Sequence, residues 1–186
     1  MKRLLLALLI PAHGVGTAVA AEFNAVQLDK SGVSFVSKQM GVPIEGQFKK
    51  FAAQISFDPN KPESAKAQID IELASIEAGS REANDEAKGK EWFNIREFPS
   101  ARFVLGGIKS IGSGRYQATG KMTIKGKTRE VVAAFSTKLD GGKLLIDGAI
   151  PILRLQYGIG DGAWVETGTV ADEVQVRFRF TLASNK

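Results

Sequence analysis

The sequence contains no cysteine, and its single histidine is His13, within the first twenty residues. Without thiols there is no disulfide framework and no thiolate nucleophile. Long hydrophobic runs are also missing. The apolar stretch from Leu4 to Ile10 falls well short of the ~20 residues needed to cross a bilayer. What remains is an ordinary globular balance, 44% hydrophobic and 24% charged over 186 residues, enough for one domain with a sizeable core.

That short apolar stretch belongs to MKRLLLALLIPAHGVGTAVA. Lys2 and Arg3 form a basic n-region, Leu4 to Ile10 an h-region, and Ala18-Val19-Ala20 a small-residue cleavage motif. Pro11, Gly14 and Gly16 disfavour a buried core helix. The expectation is a secretory signal over residues 1–20, cleaved near Ala20, and one domain over 21–186. Its removal lowers the formal charge from +5 to +3 and takes His13 with it. The modest remaining charge gives no reason to expect a nucleic-acid partner. A mature chain without His or Cys excludes Ser-His-Asp and Cys-His catalysis, and zinc sites built on imidazole or thiolate. No metal ligands and no covalent cofactor are expected.

Carboxylates and lysines are left to do chemistry. Asp70 and Glu72 sit two apart, and Asp172 and Glu173 are adjacent; a carboxylate pair can run glycoside hydrolysis. Asp70 and Glu72, however, alternate with Ile69, Ile71 and Leu73, which puts them on the outward face of a strand. No catalytic residue is assigned.

Strand patterning dominates the rest. In RYQATGKMTIKG, Tyr116, Ala118, Gly120, Met122 and Ile124 share one face, and Gln117, Thr119, Lys121, Thr123 and Lys125 the other. That period of two marks a half-buried antiparallel strand. DEVQVRFRFTL repeats it with Val174, Val176, Phe178, Phe180 and Leu182, and KLLIDGAIPI with Leu144, Ile146, Gly148, Ile150 and Ile152. GVSFVSK, the stretch 51–58 and ARFVLGG read as further strands. Turn signals separate them at 58–62, 112–114, 125–127 and 140–142. Residues 77–99 differ, being rich in Ala, Glu and Lys. Ser80 is placed to cap a helix over 81–88 that Gly89 stops, and Asn94 to cap a short turn. About eight antiparallel strands around one helical insertion at 79–97 form either a sandwich or a barrel.

Two nucleotide motifs fail on context. Gly120 precedes Gly126-Lys127-Thr128 by one residue too many for a phosphate-binding loop, and the letters lie in a strand-turn-strand. YGIGDGAW, residues 157–164, fits GxGxx(G/A) from Gly158. The next patterned stretch is strand rather than the helix a dinucleotide fold requires. Its glycines read as a tight, ligand-approachable loop between the last two strands.

Five segments in order carry a family resemblance: VSFVSKQMGVPIEGQFKKFAAQISFDPNKP, GKEWFNIREFPSARFVLGG, GRYQATGKMTIKGKTREVV, LQYGIGDGAW and TVADEVQVRFRF. Through these the chain resembles the YceI family of bacterial polyisoprenoid-binding, lipocalin-like periplasmic proteins. The resemblance implies an all-β fold, an extended eight-stranded antiparallel barrel holding an isoprenoid lipid or quinone. It also implies a periplasmic location and a membrane cytochrome b561-type protein as a candidate partner. The chain departs from the family's usual letters at Asn94, Gln156 and Ala163, each time losing a negative charge. Were those positions at the barrel mouth, the head-group preference would change.

Strand alternation nominates Phe35, Phe57, Ile69, Ile71, Phe103, Leu105, Met122, Ile124, Phe135, Ile146 and Phe178 as the ligand lining. Trp92, Phe93, Tyr157 and Trp164 are expected at the rim, near the helix and the glycine loop. Lys38, Arg81 and Arg154 near the mouth are read as solvated charges, with contact to a phosphate as the alternative. Burial of an apolar tail, at ~25 cal/mol per Å², needs no catalyst. A fatty-acid or fatty-amide barrel satisfies the same pattern, and a carboxylate enzyme of the cell envelope stands as a third reading. The oligomeric state, monomer or dimer, is left open.

Overall fold

The computed structural model describes residues 22–184. The expected signal segment, residues 1–20, lies outside the described residues. Eleven strands form one antiparallel sheet: β1 (Phe23–Val26), β2 (Gly32–Gln39), β3 (Val42–Phe48), β4 (Phe51–Ser56), β5 (Lys66–Glu72), β6 (Ile76–Glu77), β7 (Ser100–Gly112), β8 (Arg115–Ile124), β9 (Lys127–Asp140), β10 (Lys143–Leu153) and β11 (Glu173–Ser184). A single α-helix, α1 (Arg81–Lys88), stands between β6 and β7.

Eleven strands against an expected eight is a difference with a simple cause. β1 and β2 both pair with β11 and are parted only by a 3₁₀ turn at Leu28–Lys30. β3 and β4 are parted by Lys49 and Lys50, and β5 and β6 by a 3₁₀ turn at Leu73–Ser75. Three of eight strand rows are thus interrupted. The missed pieces are β1 and β6, too short to show periodicity, and β3, whose Pro43 and Gly46 mask its alternation.

The rows follow chain order round a curled barrel. β7 to β11 form a meander, β5 pairs with β7 and β4, and β3 pairs with β2 and β6. At the β3–β4 break, Lys49 N–H donates to the Ser75 carbonyl at 3.1 Å and Glu72 N–H to the Lys50 carbonyl at 3.0 Å. At the β1 end, Phe23 and Phe57 exchange two backbone bonds of 3.0 Å. Pairing round the ring leaves few free edge donors, the usual solution to the edge-strand problem.

The turns obey local chemistry. Lys125-Gly126 and Gly141-Gly142 both have φ above zero at two successive residues, as does Met40-Gly41, the combination that two-residue hairpins prefer. Helix α1 begins where expected: the Ser80 hydroxyl accepts from Ala83 N–H at 3.1 Å. Asn94 sits at φ 49 and its carbonyl accepts from Phe98 N–H at 2.9 Å, forming the turn before β7.

The outer face carries cross-strand charge pairs. Asp70 opposes Arg102 in register and accepts from its Nε at 2.5 Å; Asp147 opposes Arg179 and accepts at 2.7 Å. Partial desolvation of Asp70 pushes its pKa up, but bonds from Arg102 and Gln68 outweigh that and hold it below the usual carboxylate range. Glu72 pairs with Lys50 at 3.5 Å. The outward assignment of Asp70 and Glu72 holds.

Candidate functional site: an apolar tube with a closed floor

One end of the barrel is sealed by aromatic rings. Tyr116 and Phe135 stack with centroids 5.1 Å apart, and Phe57 meets Tyr116 edge-on at 5.3 Å. Leu144 and Leu182 are fully buried at the same end. Above this floor lies a small cavity of about 90 Å³ lined by Phe57, Ile69, Ile71, Phe103, Leu105, Met122, Phe135, Ile146 and Phe178, among others. A larger chamber of about 480 Å³ adjoins it, lined by Phe35, Phe48, Ile71, Met122, Ile124, Trp92, Phe93 and Trp164, among others. Ile71, Met122 and Val176 line both, so the two cavities meet at one waist.

Glycines make room for the rings that shape this interior. Gly148 lies opposite both Phe135 and Phe178. A Cβ there would come within 2.5 Å of Phe135 Cβ and 2.6 Å of Phe178 Cζ. Gly46 does the same for Phe35, its register partner. Ring-over-glycine packing of this kind lets large side chains lie flat against the barrel wall.

The open end is framed by three segments. Helix α1 contributes Glu82, Ala83 and Glu86; β2 and β3 contribute Ser37, Gln39 and Ile44; the glycine loop and the segment between it and β11 contribute Ile159, Trp164 and Val170. The Trp164 indole N–H donates to the Glu86 carboxylate at 3.0 Å, tying loop to helix. Trp92 and Trp164 pack with centroids 5.4 Å apart. The Trp92 Nε1–H is buried and has no acceptor among the described residues.

Fourteen of the fifteen nominated lining and rim residues border one cavity or the other; Tyr157 borders neither. Arg154 to Tyr157 form a single 3₁₀ turn, in which residues three apart eclipse. Arg154 and Tyr157 therefore turn inward together, each only 1% exposed. The rim assignment of Tyr157, made from its place beside the glycine loop, is corrected. Burial pushes its phenol above the ordinary range, with Arg129 opposing.

Arg154 is corrected as well, because it is not a solvated charge. Its Nε donates to Ala171 O at 3.1 Å, Nη1 to Ile159 O and Gly160 O at 2.9 Å each, and Nη2 to Trp164 O and Val170 O at 2.7 Å each. All five donors of the guanidinium are thereby occupied. Its Cζ lies 5.8 Å from the Trp92 ring centroid, a cation–π distance. Desolvation pulls its pKa below the ordinary arginine value, and Asp172 opposes this. Asp172 also accepts from Leu155 N–H at 2.9 Å.

The glycine loop is thus organised by a buried cation. Gly160 has φ 73, and a Cβ there would collide with Arg154 Nη1. The residue permits the approach of Arg154, not of a ligand. Lys125 completes the arrangement, donating to Lys90 O at 2.9 Å, Glu91 O at 3.4 Å and Gly158 O at 2.6 Å. Partial burial draws its pKa down, countered chiefly by Asp161. Sequence reasoning missed both roles. Nothing local in the letters marks a lysine or an arginine whose acceptors are carbonyls on distant segments.

Asn94, Gln156 and Ala163 line neither cavity. Their lost charges therefore do not alter the chamber wall. Among the described residues no cluster of His, Cys, Asp and Glu suited to a metal ion occurs, and no helix is long and apolar enough to cross a membrane.

A family profile described as a YceI-like domain matches residues 25–182, nearly all of the described chain. The chain belongs to the YceI family. Among curated proteins, a UPF0312 protein of Azotobacter vinelandii is 31% identical over 126 residues, covering 65% of this chain and 64% of its relative. A UPF0312 protein of Pseudomonas savastanoi pv. phaseolicola is 31% identical over 122 residues, covering 63% and 62%. The match therefore spans slightly less than two thirds of these relatives. Among solved structures, Burkholderia cenocepacia BcnA superposes with a TM-score of 0.82 at 45% identity, covering 84% of this chain and 98% of that one. A polyisoprenoid binding domain from Saccharophagus degradans, implicated in plant cell wall breakdown, gives 0.65 at 14% identity, covering 90% and 100%. At that identity the likeness concerns the fold alone. The expected lipocalin-like YceI barrel is the fold found.

Proposed function

We propose that this YceI-family chain is a periplasmic binding or carrier protein that holds an isoprenoid lipid, a polyprenyl chain or an isoprenoid quinone, inside its barrel. The observation that carries the reading is the pair of adjoining, largely apolar cavities, about 480 Å³ above and 90 Å³ below, which share Ile71, Met122 and Val176 above an aromatic floor. Small-molecule sites commonly enclose ~300–1,000 Å³. Each methylene of a tail buried there contributes ~0.8 kcal/mol. The name of the Saccharophagus degradans neighbour supports the isoprenoid class. The buried Trp92 N–H suits a head-group oxygen at the chamber.

A binding role rather than catalysis is supported by where the carboxylates went. Asp70 and Glu72 pair with Arg102 and Lys50 on the outside, and Asp172 holds the Leu155 amide. A membrane cytochrome b561-type partner would accompany a quinone cargo.

Native mass spectrometry of the protein as purified, with organic extraction of anything bound, tests this reading. The expected result is an adduct whose extract is a polyprenyl compound or quinone. A straight-chain fatty acid or amide as the sole ligand, or an empty protein that takes up no polyprenyl compound offered in detergent, would overturn it.

A further inference from the structure

We propose that the β2–β3 hairpin tip docks the barrel's open end on a lipid bilayer, an inference that rests on the carrier reading above. The tip runs Gln39-Met40-Gly41-Val42-Pro43, all exposed and without a charge. Met40 is 74% exposed and Val42 59%. Large apolar side chains presented together on a turn need an explanation, unlike single exposed ones.

The tip is held rigidly beside the chamber's entrance. Met40 N–H donates to Thr169 O at 2.8 Å, and Ala171 N–H to Lys38 O at 2.9 Å. Gln39 bridges to Val170, and both line the upper chamber. Exposed Val165 lies on the loop that this bridge anchors. A tail leaving the chamber therefore emerges next to the apolar tip.

Exposed apolar residues also occur at the sealed end, but singly, and most are embedded among charges. Leu139, 61% exposed, lies between Lys138 and Asp140, and Leu28 precedes Asp29 and Lys30. Among the described residues, the mouth hairpin is the turn that presents two large apolar side chains together, Met40 and Val42, without a charge between them; the uncharged β7–β8 turn at the sealed end carries Ile111 alone.

The occupant is decided by size and charge. Three or four side chains cannot supply the roughly 800 Å² per partner of a stable protein interface. They suit shallow insertion among acyl chains, with an affinity on the order of the ~10⁴ M⁻¹ of a single acyl anchor. The charges on the flanking segments are of both signs, Lys38 and the Arg177–Glu45 pair at 3.4 Å on the strands and Glu166 on the anchoring loop, so the attraction is apolar and does not need anionic lipid.

The test uses phosphatidylcholine vesicles free of isoprenoids and the protein as processed by the cell, its N-terminus read by mass. Flotation is measured for the unaltered chain, Met40→Asp, Val42→Asp and, at the sealed end, Leu139→Asp. Asp tolerates the left-handed backbone of position 40, and circular dichroism checks each fold. Expected are vesicle binding that survives high salt, about tenfold weaker binding for each tip variant, and no change for Leu139→Asp. Absence of binding by the unaltered chain, or equal losses at both ends, overturns the docking surface. So does capture of a protein through the tip without any affinity for vesicles. Retained isoprenoid with no vesicle binding defeats docking alone. Vesicle binding without isoprenoid uptake defeats the carrier reading instead.

Discussion

Arg154 concentrates more of the architecture than any residue its sequence neighbours would suggest. Five backbone carbonyls spread between Ile159 and Ala171 converge on one guanidinium. A loop that long would otherwise carry unpaired buried acceptors, each costing ~1–3 kcal/mol. Lysine offers three donors from one nitrogen and cannot reach carbonyls arranged around a planar fork. Arg154→Lys should therefore lower unfolding stability by about 2–4 kcal/mol and shift Trp164 emission to longer wavelength as its loop loosens. Urea unfolding monitored by tryptophan fluorescence reads both effects. A variant as stable as the parent would mean that the carbonyls find water instead.

At the scale of strands, the barrel wall is set by which inward positions are left empty. β10 keeps strict alternation, yet its inward row holds Gly148 where Phe135 of β9 and Phe178 of β11 both lean in. Ala134 O lies 2.6 Å from where a Cβ would project, so the neighbouring backbone must also shift. Gly148→Ala, favourable by strand propensity, should instead destabilise by about 1–3 kcal/mol through overpacking. Thermal unfolding against the parent measures it. A raised midpoint would show that the rings have free room. Helix α1 is the opposite case, since its cap, length and end are decided locally by Ser80, by a run of good helix formers and by Gly89.

For the molecule as a whole, the carrier reading proposed above makes the waist between the two cavities the feature that would decide how long a tail fits. Val176 lines both cavities, opposite Ile150 and Phe35. Val176→Phe should fill space that is empty in the barrel, so the fold is expected to hold within about 1 kcal/mol of the parent. It should shut the lower cavity to the tail. Titration with prenyl compounds of increasing length would show short chains bound as before and long ones weakened. Equal weakening at every length would place the tail outside the lower cavity.

The sequence by itself determined the period-two strands, the turns at 112–114, 125–127 and 140–142, helix α1, and the exclusion of thiol chemistry. These depend on contacts within a few residues or on composition alone. The eleven lining residues nominated by alternation all border a cavity, because in a curled barrel one face of each strand points to the interior; Trp92, Phe93 and Trp164, which border the upper chamber, lie on turns instead. Tertiary structure decided the rest. Three interrupted rows become continuous only because partners far along the chain, such as Ser75 beside Lys49 and Phe57 beside Phe23, supply their hydrogen bonds. Tyr157 and Arg154 turn inward because residues 154–157 form a 3₁₀ turn. That turn holds because Asp172, just before the last strand, accepts the Arg154 and Leu155 amides. A buried charge is decided by acceptors gathered from segments distant in sequence, and no local pattern encodes where they will meet.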